Sequence, residues 1–83
     1  MRLRLEFTTE PFDLEETPEH ARATRTVLDG AALDSVDVGP FGNTAEGTPE
    51  AVLEAVSAVL RSGLDSGATR ISLQVNVLEG EGR

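Results

Sequence analysis

Apolar and polar residues alternate one for one from Arg2 to Thr8. Leu3, Leu5 and Phe7 share one side, and Arg2, Arg4, Glu6 and Thr8 share the other, the pattern of a strand with one face buried. Residues 9–16 carry Pro11 and four acids and predict a loop. Thr17-Pro18-Glu19 predicts a helix start, with Thr17 as N-cap, Pro18 at the first helical position and an acid in the first turn. Ala21, Thr24, Val27 and Leu28 then fall at helical spacing, and Gly30 is placed to end the helix. A second strand is predicted over Leu33–Val38, with Val36 and Val38 on one side and Ser35 and Asp37 on the other. Gly39-Pro40-Phe41-Gly42 predicts a tight turn and residues 43–46 a short third strand. Thr48-Pro49-Glu50 repeats the first helix start. It leads into an apolar stripe of Val52, Leu53, Val56, Val59, Leu60 and Leu64, closed by Gly63 and Gly67. The last strand runs over 69–78, with Ile71, Leu73, Val75 and Val77 inward and Ser72, Gln74 and Asn76 outward. One domain over residues 1–79 and a tail over 80–83 account for the chain.

The order is β-α-β-β-α-β, and the two halves echo each other. Thr-Pro-Glu opens both helices, and Leu28-Asp29-Gly30-Ala31 resembles Leu64-Asp65-Ser66-Gly67-Ala68. Two such halves fit the ferredoxin-like split arrangement, an α+β sandwich. Its antiparallel four-stranded sheet has strand order 4-1-3-2, with both helices on one face. The apolar sides of all strands then meet the helices, and the other face stays open. That face is expected to carry Arg2, Arg4, Glu6 and Thr8, then Ser72, Gln74 and Asn76, Ser35 and Asp37, and Thr44 and Glu46 if Ala45 turns inward. A shift of one residue in the third strand would present Asn43 in place of Thr44. Every residue on this face is polar. It either meets water, as one face of an antiparallel sheet can, or offers amides and hydroxyls to a ligand or a second sheet.

Charge and composition narrow the chemistry. The chain has 83 residues, 15 Asp plus Glu against 7 basic residues, and a formal net charge of -8. All seven bases are Arg. Replacement of Lys by Arg, with many carboxylates, is a habit of GC-rich and of salt-adapted genomes and explains most of the acidity. A general nucleic-acid binder needs a basic stripe, which is missing. Cysteine is absent, which excludes disulfides, thiolate metal sites and a cysteine nucleophile. The single His20 excludes a histidine metal cluster and is expected to be a solvated residue in the first turn of the first helix. No apolar run is long enough to span a membrane, and the N-terminal residues lack the apolar core of a signal peptide. A cytoplasmic location is the resulting expectation.

The stretch Gly39-Pro40-Phe41-Gly42-Asn43-Thr44-Ala45-Glu46-Gly47 is the most distinctive. It is not a P-loop, because no Gly-Lys-Ser/Thr follows. With Val52-Leu53-Glu54-Ala55-Val56, the step Gly67-Ala68-Thr69-Arg70, and Glu6-Phe7 ahead of Pro11, it resembles the small thiamine-binding proteins of bacteria and archaea. The resemblance covers nearly the whole chain. It departs where Asn43-Thr44-Ala45 replace Thr and β-branched residues, and where the first loop is acidic. It implies a ferredoxin-like fold, oligomers built by sheet association, and thiamine as a ligand, with no cofactor and no catalysis.

Thiamine joins a neutral aminopyrimidine to a cationic thiazolium. On this resemblance the ligand-binding set is Glu6, Thr8, Phe41, Asn43, Thr44, Glu46, Gln74 and Asn76. Glu6 or Glu46 would serve the pyrimidine ring, and Gln74, Asn43 or a main-chain carbonyl its amine. Phe41 and Phe12 are the aromatic rings available to a cation, since Phe7 is expected in the core. Glu6 and Glu46 have a plainer reading too, as cross-strand ion pairs with Arg4 or Arg2, and Phe41 as a turn residue packed at the sheet edge. The expected partners are thiamine or a related pyrimidine and a second copy of the chain, as a dimer or tetramer. Acylphosphatases share the topology but need an Arg in the first loop, which holds none. The remaining alternative is a regulatory or oligomerisation module of the same fold without thiamine binding.

Overall fold

The computed structural model describes residues 1–12, 15–39 and 42–78. Its elements are β1 (Arg2–Glu10), α1 (Glu19–Gly30), β2 (Ser35–Val38), β3 (Asn43–Gly47), α2 (Pro49–Asp65) and β4 (Arg70–Leu78). The strands form one antiparallel sheet in the order β2-β3-β1-β4, the expected 4-1-3-2 read from the other edge. The expected turn residues Pro40 and Phe41 and the tail 80–83 lie outside the described residues.

The alternation along β1 sets the layers. Leu3, Leu5, Phe7 and Thr9 are buried, while every intervening residue is only half-buried. Leu3, Leu5 and Phe7 join Ala45, Leu28, Val52 and Val59 in the core, and Val27, Leu33, Val56 and Leu73 pack against it. The core thus lies between the two central strands and the helices, and the even-numbered side chains of β1 form the opposite face. Non-polar burial of this kind is the main force holding a chain of this size folded.

The edge strands are less covered than the alternation predicts. Val75 and Val77 pair with Leu5 and Leu3 on the helix side, yet Val77 is 49% exposed. Val36 and Val38 on β2 are exposed as well. Two helices cover the middle of a four-stranded sheet and leave the margins bare. β2 is also shorter than predicted. Leu33 leaves the ladder to pack on the core, and Asp34 continues the pairing only through its N–H to the Glu46 carbonyl, at 2.8 Å.

The apolar stripe of α2 is displaced from the one predicted. Its buried residues are Val52, Ala55, Val59 and Gly63, while Leu53 is 57% and Leu64 55% exposed. Each follows a buried residue by one position, a turn of about 100° around the helix. Gly63 does not close the helix but lies within it. A Cβ there would sit 2.8 Å from Ile71 Cδ1 and 3.3 Å from Thr24 Cγ2, so glycine lets α2 approach both its neighbours. Gly67 ends the segment in the left-handed region, at φ 104°.

Two expectations at the start of α1 are corrected. The helix begins with Pro18 as N-cap and has no side-chain cap, so Thr17 does not cap it. His20 is not solvated: it is 4% exposed. Its Nδ1 lies 2.8 Å from Thr9 Oγ1 and its Nε2 3.0 Å from the Pro11 carbonyl oxygen. A carbonyl only accepts, so Nε2 is the donor to Pro11, while Nδ1 pairs with the Thr9 hydroxyl, which can donate or accept. This pairing satisfies Thr9 on the inner face and lets β1 run two residues beyond the predicted end.

Candidate functional site

The open face is ordered in rows by the strand register. Arg4 stands between Glu46 and Asn76, Glu6 between Thr44 and Gln74, Thr8 beside Ser72, and Glu10 beside Arg70. Ala45 is buried, so Thr44 and Glu46 are the β3 residues on this face. Asn43 pairs with Phe7, on the helix side.

A cavity of about 440 Å³ opens on the upper rows. Glu6, Thr8, Thr44, Ser72 and Gln74 line it, together with Phe7, Gly42, Asn43 and Leu73. Phe7, Asn43 and Leu73 turn their side chains toward the helices by alternation. Asn43 Oδ1 is buried without a hydrogen-bond partner. Its wall therefore offers one carboxylate, one primary amide and three hydroxyls, a set able both to donate and to accept. Glu6 is also held by Asn76, whose Nδ2 donates to Glu6 Oε2 at 3.5 Å from the diagonal position on β4.

The lower rows are a closed charge network. Arg4 Nε and Nη2 lie 3.0 and 2.9 Å from Glu46 Oε2. Arg2 Nη2 donates to Glu46 Oε1 at 3.2 Å, and Arg2 Nη1 pairs with Asp34. Two cations thus meet two anions. The hydrogen bond from Arg4 holds the Glu46 carboxyl below the usual carboxylate range; partial desolvation opposes it and Arg2 adds to it. The Arg2 guanidinium is raised further above its ordinary value, first by Asp34 and then by Glu46.

Four of the eight expected site residues, Glu6, Thr8, Thr44 and Gln74, thus bring side chains to one cavity. Asn43 is in the lining but pairs with Phe7 on the helix side, and Asn76 reaches the site through Glu6. Glu46 lies outside the cavity lining and makes the cross-strand ion pairs that were the plainer reading of it. Phe41 lies outside the described residues. Ser72 is the wall residue missing from the expected set; its parity placed it on the face, but only the register puts it opposite Thr8. Asp34 precedes β2 and gave no sequence signal for its pairing with Arg2. Among the described residues no group of three His, Cys, Asp or Glu side chains is placed to hold a metal ion. Nor, among these residues, is any helix long and apolar enough to cross a membrane.

The topology belongs to the ferredoxin-like α+β class, and solved structures share it. The chain superposes on protein SP2199 of Streptococcus pneumoniae with a TM-score of 0.76 at 15% identity, over 99% of this chain and 92% of that one. A domain of unknown function, DUF77, from Bacillus cereus gives a TM-score of 0.70 at 17% identity, over 95% and 78% of the two chains. A protein of Thermotoga maritima assigned provisionally to thiamine biosynthesis or salvage gives 0.65 at 21% identity, over 92% and 81%. No family model matches the chain, and no curated protein matches it in sequence.

Proposed function

We propose that the protein binds thiamine or a related aminopyrimidine reversibly and without chemistry, in the cavity of the polar sheet face. The observation that carries this reading is the Glu6 carboxylate. It stands in a cavity with the Gln74 amide and the hydroxyls of Thr8, Thr44 and Ser72, and among the described residues no cationic side chain lines the wall. A carboxylate suits a protonated or N–H-bearing ring, an amide suits the edge of an aminopyrimidine, and an uncompensated negative charge suits the thiazolium. The Thermotoga neighbour, with its provisional link to thiamine metabolism, supports the same direction. We also place the protein in a homo-oligomer, because β4 is a free edge with half-exposed valines.

Calorimetry with thiamine, thiamine diphosphate and hydroxymethylpyrimidine tests the proposal, and sedimentation tests the assembly. Binding of thiamine without turnover is expected. If none of the three binds at about millimolar concentration, where affinity is only some 4 kcal/mol, the ligand reading fails and a regulatory module of the same fold takes its place.

A further inference from the structure

Arg2, Arg4 and Arg70 share the sheet face with the cavity, yet none of them is in its lining. Arg4 is two residues from Glu6 on β1, and residues so spaced lie on one side of a strand about 7 Å apart. An extended arginine side chain can cross that gap. It does not, because its Nε and Nη2 are both drawn across to Glu46 Oε2, at 3.0 and 2.9 Å. Arg2 occupies the other oxygen of the same carboxylate at 3.2 Å and has Asp34 besides. Glu6 is left with the neutral amide of Asn76.

We propose that Glu46 determines the charge of the cavity, and with it the choice between a cationic and a phosphorylated ligand. This deepens the reading above and rests on it. Half-exposed ion pairs of this kind add little to stability, but capturing Arg4 has a clear effect on the neighbouring site. With Glu46 in place the cavity presents, among the described residues, one anionic side chain and no cation. Without its charge, Arg2 keeps Asp34, whereas Arg4 loses its ion-pair partner and turns along its own strand toward Glu6. It then neutralises Glu6 and brings a guanidinium to the mouth of the cavity, a group that pairs well with phosphate. The face's other acids, Asp37 opposite Thr44 and Glu10 opposite Arg70, keep their places in both cases and do not alter the contrast.

The test compares the affinities for thiamine and thiamine diphosphate in the wild type, Glu46→Gln, and Glu46→Gln combined with Arg4→Gln. The wild type is expected to favour thiamine. Glu46→Gln should weaken thiamine and tighten the diphosphate, moving their ratio by about tenfold, the scale of one unit charge displaced by a few ångströms near a surface. Removing Arg4 as well should return the ratio to the wild-type value. A wild type that binds thiamine while the ratio stays fixed in Glu46→Gln overturns this proposal and spares the ligand reading. If the wild type binds no thiamine, the ligand reading fails, and inorganic pyrophosphate then serves as the probe. Its addition should shift the amide signals of Thr8, Thr44 and Ser72 in Glu46→Gln only. No shift there, or an equal shift in all three proteins, overturns the proposal.

Discussion

The two ends of the polar sheet face are built from the same strands and are both polar, yet they differ in what remains available. At the lower end each charge has found its opposite: Arg2 with Asp34 and Glu46, Arg4 with Glu46. At the upper end Glu6, Thr8, Thr44, Ser72 and Gln74 surround an open cavity, and among the described residues only Glu6 has a side-chain partner from the face, Asn76. The difference comes from the row on which a glutamate falls. Glu46 pairs with Arg4 directly across the ladder, whereas Glu6 faces Thr44 and Gln74, neither of which carries charge. One end is saturated internally, and the other keeps its hydrogen-bonding capacity for something outside the chain.

The largest disturbance removes what the two ends share. Leu5 is fully buried beneath the middle of β1. Leu5→Ala should cost about 3 kcal/mol through lost burial and a residual cavity, read as a lower denaturation midpoint, with ligand binding and ion pairs lost together. A cost under about 1 kcal/mol would mean that the sheet core is not their common support. Glu6→Gln affects the upper end alone. It should weaken thiamine by about tenfold, the loss of one charge-assisted contact, and leave the thermal midpoint near the wild-type value. Unchanged affinity would remove Glu6 from the site. Asn76→Ala should act in the same direction by about threefold, since it removes a long hydrogen bond, 3.5 Å, that orients Glu6 without touching the ligand. An effect as large as that of Glu6→Gln would make Asn76 a direct contact.

The smallest effect is confined to the lower end and appears in acid. The Glu46 carboxyl is depressed by its hydrogen bond from Arg4. A group whose folded-state value lies below its unfolded one stabilises the fold above the unfolded-state value, and that contribution fades as pH falls through the folded-state value. The wild type should therefore lose thermal stability on acidification through and below the usual carboxylate range. Glu46→Gln should lose less over the same interval. Parallel curves for the two proteins would show that the pair is too exposed to matter.

How far the chain discloses this arrangement varies with the range of the interaction concerned. The sheet order and the face itself follow from period-two alternation in β1 and β4 and from the repeated β-α-β halves. The two Thr-Pro-Glu tripeptides show where local reading stops. At residues 48–50 the helix starts as such a sequence should, with Thr48 Oγ1 accepting from the Ala51 N–H at 3.2 Å and Pro49 in the first turn. At residues 17–19 the same letters begin the helix one residue later. Arg22 Nη1 takes the Thr17 carbonyl at 2.7 Å, and the Pro18 carbonyl accepts from Ala21 and Arg22. His20 is drawn inward by partners eleven and nine residues earlier, which no local pattern announces. The site behaves likewise. Parity placed Glu6, Thr8, Thr44 and Gln74 on one face, but Glu6 and Glu46 looked equally able to hold a ligand or an arginine. Only the register, which sets Glu46 beside Arg4 and the cavity beside Glu6, separates them.

The burial of His20 gives the molecule a natural reporter. The chain holds one imidazole, and it is enclosed at the seam between the end of β1 and the first turn of α1. Its ring resonances belong to no other residue, and its reaction with an acylating reagent requires the seam to open. The rate of that reaction measures local opening beside Thr8, one position from the residue His20 holds, and does so with no label introduced into the protein.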